Sequence, residues 1–201
     1  MARPREFDEA QVLRAAQGAF RAGGYAGTSL ADLTSAPGLG KGSLYGAFGD
    51  KHGLFVRVLD DYCAGGTAGV AAVLEGEGRG LDRLRAYLLD QARDTTDGSP
   101  SCLMASSGAE LAARDAQVHD RLAETYAALR GSFARAVRDA QHDGDVDAGA
   151  DADVLAGLLL AVARGMEALG HAGSDEAELR RTAEAAIAGL PRPVADRRTT
   201  A

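Results

Sequence analysis

The sequence predicts an all-α protein: a three-helix N-terminal helix-turn-helix domain followed by a larger C-terminal helical domain, about nine helices in all. Two observations predict the class, and a third predicts the motif. Apolar residues recur at threes and fours in segment after segment, the spacing that lines one face of a helix. Aromatic residues are only 5% of the 201, while Ala and Gly abound, so the core must come from Leu, Val and Ala, the composition of packed helices rather than strands. The third observation is a Gly-rich turn between two short helical stretches near residue 40, the pattern of a helix-turn-helix.

In chain order, residues 1–6 form a basic arm in which Arg3 and Arg5 are either free to reach DNA or simply solvated. Asp8 is a good N-cap, and Val12, Leu13, Ala16 and Phe20 share one stripe of a first helix that runs to about Arg21. Gly23-Gly24 stops it. Tyr25 is expected to pack beneath the motif rather than to touch a ligand or DNA. Thr28-Ser29-Leu30-Ala31-Asp32 reads as a capped start of helix two, with Ser29 three residues before Asp32. After the turn at Gly38-Leu39-Gly40, helix three spans barely two turns. Leu44 and Phe48 stand four residues apart and dock it on a core, while Lys41, Ser43 and Tyr45 lie off that face. A cation, a hydroxyl and a phenol make a phosphate-contacting set.

Asp50 caps a fourth helix reaching about Leu74, with Leu54, Phe55, Val58, Leu59 and Tyr62 as its seam. Gly65, Gly66 and Gly69 interrupt its second half at a cost of about 1 kcal/mol each relative to Ala. That suits a connector able to bend or slide, and close packing of another helix against the glycines explains it equally well. Leu81, Leu84, Leu88 and Ala92 mark a fifth helix ending before Gly98-Ser99-Pro100, and a sixth follows from about Cys102 to Ala113. Asp115 caps a seventh, whose Val118, Leu122, Tyr126, Leu129, Phe133 and Val137 recur helically until Gly144. Residues 142–153 carry five Asp and read as a solvated acidic loop, because the Glu that closes a calcium loop is missing. Helix eight, opened by Asp151, is apolar nearly all round, with only Arg164 and Glu167 charged between Val154 and Leu169. Such a helix must be buried on nearly every side, one side against its own domain and the other against another subunit. Ser174 or Asp175 caps helix nine, which carries Leu179, Ala183, Ala186, Ile187 and Leu190. Residues 191–201 read as a disordered tail.

The net charge is −7, yet residues 1–59 hold seven Lys+Arg against five Asp+Glu, while the remainder holds fifteen against twenty-four. The split of +2 and −9 keeps the acid away from the helix-turn-helix. The two lysines of the chain, Lys41 and Lys51, both fall in that first segment. Two cysteines in a chain of this length do not make a disulfide scaffold. The N-terminus shows no signal peptide, and the longest apolar run, Val154 to Val162, is too short for a bilayer. A soluble, cytoplasmic protein without a membrane partner is expected. Catalysis needs a constellation, and none is present: His52, His119, His142 and His171 read as solvated or end-capping residues. Neither a phosphate loop, a nucleophile elbow nor zinc spacing occurs, so no enzyme, cofactor or metal is expected.

The run Gly24-Tyr25, Thr28-Ser29-Leu30, Lys41-Gly42-Ser43-Leu44-Tyr45, Phe48, Lys51 and Leu54-Phe55 resembles the N-terminal domain of TetR-type transcriptional regulators over about the first sixty residues. The chain departs from the family's usual pattern at Gly40, at Gly46-Ala47 and at Pro37, so the family's base contacts are not carried over. The resemblance implies a DNA-binding domain over 1–49 and a ligand-binding and dimerisation domain over 50–190, with the fourth helix as connector. It implies a homodimeric repressor that reads a palindromic double-stranded operator with two copies of helix three, spaced about 34–36 Å apart. A small-molecule effector would release it by moving the fourth helix. On this reading Lys41 and Tyr45 hold phosphates, Thr28, Ser29 and Lys51 add contacts at helix starts, and Gly42 and Ser43 lie nearest base edges. An apolar pocket would draw on Tyr62, Leu88, Cys102, Met104, Tyr126, Phe133 and Met166, each of which core packing also explains. The dimer seam would use Leu155, Leu158, Leu159, Val162, Met166, Leu179, Ala183 and Ile187. Two alternatives stand beside it. Cys102, at or near the start of helix six, could sense electrophiles or oxidants as a thiolate or be a small apolar filler, and the whole chain could be a helical protein-interaction module.

Overall fold

The computed structural model describes residues 8–34, 41–97 and 102–193, apart from the side chains of Lys41 and Ser43. Within them the chain is helical throughout: α1 Glu9–Gly27, α2 Leu30–Thr34, α3 Lys41–Phe48, α4 Lys51–Leu74, α5 Gly80–Asp94, α6 Leu103–Leu111, α7 Ala116–His142, α8 Ala152–His171 and α9 Glu176–Ala188. The caps expected from the sequence are made. Asp8 accepts from the Ala10 and Gln11 amides, Asp115 from Gln117 and Val118, Asp151 from Asp153 and Val154, and Asp175 from Glu178. The arm with Arg3 and Arg5, the turn at 35–40 with Pro37, and most of the tail lie outside the described residues.

Packing divides the chain into two compact units. Residues 1–66 and 100–125 form one, and residues 67–99 and 126–201 form the other. Helices α4 and α7 therefore each run from one unit into the next.

In the first unit, Val12, Leu13, Ala16 and Phe20 of α1 are buried as their spacing predicts, with Leu33, Leu44, Leu54, Phe55, Val58 and Leu59. Helix α1 packs against α6 and α2, and α2 against α3. The stop at Gly24 is real: its backbone lies at φ 69° and ψ 177°, inside a helical stretch that resumes to Gly27. Tyr25 packs structurally, with its ring 4.8 Å from that of Phe55 and 6.3 Å from that of Phe20. Partial burial, and then Asp50 and Asp115, push its phenol up. A side chain at Gly65, Gly66 or Gly69 of α4 would meet nothing within 4 Å. Among the described residues of the single chain, no helix packs closely against these glycines.

In the second unit, α5 packs on α8 and α9, and α8 on α9. Buried Leu84, Leu88, Phe133, Leu159, Met166, Leu179 and Ile187 fill it, and the Tyr87 and Phe133 rings meet edge to face at 5.2 Å. The acidic loop after α7 is a bonded turn rather than a loose one. Asp143 accepts from the Gly80 amide at 3.0 Å, Asp145 pairs with Arg79 at 2.9 Å, and the Gln141 amide donates to the carbonyls of Asp147 and Ala150. Its aspartates serve the protein's own donors.

Candidate nucleic-acid interface

The helix-turn-helix begins with a capping box read correctly from Ser29 and Asp32. The Ser29 amide and hydroxyl donate to Asp32 Oδ2 at 2.7 and 2.6 Å, and the Asp32 amide donates back to Ser29 Oγ at 3.2 Å. These bonds fix the entry of a helix only five residues long, which could not hold by propensity alone. They also hold the Asp32 carboxyl below its usual range.

Helix α3 docks through Leu44, fully buried. The opposite face presents Gly42, Tyr45 and Gly46, all exposed, and Tyr45 is 49% accessible. Lys41 and Ser43 share this helix, and their side chains lie outside the described set. Lys51 opens α4 with its ammonium 4.4 Å from the centre of the Tyr25 ring. That contact fixes the cation's direction while leaving it half-buried.

The Thr28 hydroxyl serves the protein's own backbone. Thr28 is buried, and its hydroxyl donates to the carbonyls of Gly24 at 2.7 Å and Ala19 at 3.2 Å. It closes the backbone after the Gly24 break, so its side chain is not offered to a phosphate.

Two further residues hold the motif in place, Glu110, which the sequence did not single out, and His52. The Glu110 carboxylate on α6 accepts the amides of Tyr25 and Ala26 at 2.8 Å each. A Cβ on Gly24 would stand 2.9 Å from Glu110 Oε2, so the glycine gives both the backward turn and room for the carboxylate. His52, read from the sequence as solvated or end-capping, instead bonds Asp115 Oδ2 through Nε2 at 2.6 Å. It ties the start of α4 to the cap of α7. Neither pairing has a local signal, since the partners lie 84, 85 and 63 residues apart.

The His52 hydrogen bond is the main cause holding the Asp115 carboxyl below its ordinary value. A carboxyl lowered by folding binds fewer protons folded than unfolded. Its contribution is complete above the unfolded pKa, about 4, and is lost as pH falls through the lower folded value. The gap between the melting midpoints of wild type and Asp115→Asn should therefore close as pH drops below about 4. A gap of constant size from pH 7 to 3 would refute this reading of the His52 bond.

The ligand candidates fall in both units. Cys102 and Met104 of the first, and Leu88, Phe133 and Met166 of the second, are buried among packed helices, while Tyr62 and Tyr126 are half-buried. The Tyr62 hydroxyl donates to Cys102 Sγ at 3.7 Å, and Arg21 lies over the Tyr62 ring at 5.7 Å. Two open clefts, of about 410 Å³ beside α1 and α4 and about 550 Å³ beside Thr95 and His171, are lined by none of these seven residues.

The dimer candidates need a correction. Leu155, Leu159, Met166, Leu179, Ala183 and Ile187 are buried within the single chain, because α8 and α9 turn these positions toward α5 and toward each other. In the single chain they have little surface to offer a seam. Leu158 is 53% exposed and Val162 is half-buried. Val154 at 66% and Leu169 at 50% join them as exposed apolar groups of α8. In the single chain α8 is thus buried on one side and leaves Val154, Leu158 and Leu169 exposed on the other.

Comparison with known proteins decides what the motif belongs to. Residues 12–58 match the family described as bacterial regulatory proteins, tetR family, and residues 80–186 match the tetracyclin repressor-like C-terminal domain. The chain belongs to the TetR family. It is a DNA-binding transcriptional regulator, not an enzyme. Among similar proteins, an uncharacterized HTH-type transcriptional regulator of Bacillus subtilis, YezE, is 30% identical over 78% of this chain and 81% of its own. The transcriptional repressor ComR of Escherichia coli is 29% identical over 90% of this chain and 88% of its own. Among solved structures, a cysteine-substituted TetR-family regulator, CifR, complexed with a 26 bp operator, superposes with a TM-score of 0.83 at 28% identity. That match covers 94% of this chain and all of that one. Among the described residues, no helix is long and apolar enough to cross a membrane.

Proposed function

We propose that this regulator is a cytoplasmic repressor that binds a palindromic operator as a homodimer and is released by a small molecule. The observation that carries the DNA-reading part is α3. It is anchored inward by Leu44 and bare outward at Gly42 and Gly46 with Tyr45 beside them, and the Ser29–Asp32 box sets the helix before it. Such a helix can lie against a duplex, with Lys41, Tyr45 and Lys51 on phosphates and Gly42 and Ser43 nearest the bases. The exposed Ser29 hydroxyl is within reach of a backbone phosphate once it exchanges its Asp32 bond. That CifR was captured on operator DNA and that ComR is a named repressor supports carrying both properties over.

Footprinting on the chain's own upstream DNA tests the reading. Phosphate contacts position without choosing sequence, so Lys41→Ala should weaken all duplexes alike and lower the salt slope by about one. If both Lys41→Ala and Tyr45→Phe bind operator like wild type, α3 is not the reading helix.

For the dimer we propose the outer face of α8: Val154, Leu158, Val162 and Leu169. A charge buried in an interface without a partner is costly, so Leu158→Asp should give a folded monomer in sedimentation. Because Leu158 is exposed in the single chain, this variant should keep its helical spectrum. A folded dimer would remove this seam.

We place the functional boundary between DNA reading and effector binding near residue 50, with α4 as the connector. The effector would enter among the apolar helices of the larger domain. For Cys102, 4% exposure favours a packing role over a sensing one. Alkylation of wild type and Cys102→Ser, read by operator binding, separates the two roles.

A further inference from the structure

We infer that this regulator chooses its operator mainly by the shape and deformability of the duplex rather than by base edges, because α3 has almost nothing to read them with. The inference rests on the placement of α3 in the major groove proposed above. The outward face of that helix is built from Gly42 and Gly46, four residues apart and hence stacked on one side, with Ser43 and Tyr45 on its flanks. Both glycines are exposed, and a Cβ on either would meet nothing within 4 Å. Among the described residues, no packing requires them.

Strong discrimination between bases comes from side chains that make two bonds at once: Arg or Lys on guanine, Asn or Gln on adenine, Glu or Asp on cytosine. The eight residues of α3, Lys-Gly-Ser-Leu-Tyr-Gly-Ala-Phe, include no Arg, Asn, Gln, Asp or Glu. With Lys41 and Tyr45 on phosphates, the hydroxyl of Ser43 is the remaining polar group. A serine hydroxyl both donates and accepts, so it accommodates any base. What the glycines supply is clearance. A helix without side chains on its groove face can bring its backbone close and gather phosphate contacts on both flanks. Which duplex allows that closest fit then depends on groove width and on how easily its base steps bend.

The test uses a duplex selected from randomised DNA with the full-length protein. Each purine in the protected half-site is replaced in turn by its 7-deaza analogue, which keeps base pairing and deletes the major-groove N7 acceptor. Each replacement should change affinity by less than about threefold, where a two-bond reader would lose roughly 5- to 150-fold. Inosine for guanine, or diaminopurine for adenine, changes only the minor-groove amino group and the stiffness of the step, and should shift affinity by about tenfold at one or more positions. A tenfold loss at any single N7, or indifference to every minor-groove change, overturns the inference. Gly46→Gln separates this failure from failure of the groove placement. It gives α3 an amide able to bond adenine and should create sensitivity to 7-deazaadenine. If Gly46→Gln gains no such sensitivity anywhere, α3 does not face the bases, and the placement falls together with the inference.

Discussion

Gly80→Ala is expected to lower the stability of the second unit by about 3 kcal/mol or more. A Cβ at this position would stand 2.4 Å from the Ala136 carbonyl oxygen, 2.4 Å from the Ala140 nitrogen and 3.0 Å from the Asp139 carbonyl carbon. All three are backbone atoms of α7, so no rotamer change can make room, and α5 would have to move off. The ties around the crossing resist that. The Gly80 amide donates to Asp143 at 3.0 Å, Arg79 pairs with Asp145, and the buried Arg83 reaches both Asp139 and the Gly76 carbonyl. Overpacking alone costs about 1–3 kcal/mol, and a stretched buried guanidinium adds to it. For a chain of this size each kcal/mol is worth about 2–4 °C. Thermal melts followed by circular dichroism should therefore show a drop on the order of 6–12 °C. A drop under about 2 °C would mean that the crossing relaxes freely.

Gly53→Ala should abolish tight operator binding with a smaller effect on the rest of the fold. Its Cβ would lie 2.0 Å from the Phe48 carbonyl oxygen, the last residue of α3. That carbonyl accepts the Asp50 amide at 3.0 Å, and Asp50 in turn accepts the Gly53 amide at 2.8 Å. The turn that sets the angle between α3 and α4 is thus closed by contacts that leave no volume for a methyl group. The backbone of α3 must shift, and displacement of a reading helix by about an ångström can cost on the order of 100-fold in a process that depends on geometry. Fluorescence anisotropy with the upstream duplex should show a loss of at least tenfold, while Leu44 and Phe55 keep the unit folded. Binding within threefold of wild type would mean that the α3–α4 turn does not set the reading angle.

Much of this architecture is written in short-range chemistry. Helix existence and most ends follow from residues a few positions apart: Asp8, Asp115, Asp151 and Asp175 as caps, Ser29 with Asp32, and the stripe through Val12, Leu13, Ala16 and Phe20. The buried Leu44 could be read from its four-residue spacing to Phe48, and the exposed Tyr45 from its place off that face. Such signals survive in the sequence because both partners sit within one or two helical turns. Family membership was likewise legible, since ordered spacing across Gly24, Lys41, Tyr45 and Phe55 is itself a sequence property.

Other features were settled only when distant segments met. Helix α8 is apolar nearly all round, so its pattern could not say which residues face inward. Packing on α5 and α9 buried Leu155, Leu159 and Met166 and left Val154, Leu158 and Leu169 outside. Thr28 sits at the mouth of α2 like any helix-start hydroxyl, but the reversal at Gly24 turned two carbonyls toward it. Glu110 and His52 found partners more than sixty residues away, and no local pattern encodes a bond across that separation. The same holds for the methyl-free crossings at Gly80 and Gly53. A glycine in the sequence states only that a side chain is absent, and whether that absence is a hinge, an open surface or a contact too close for a Cβ depends on what the fold brings against it.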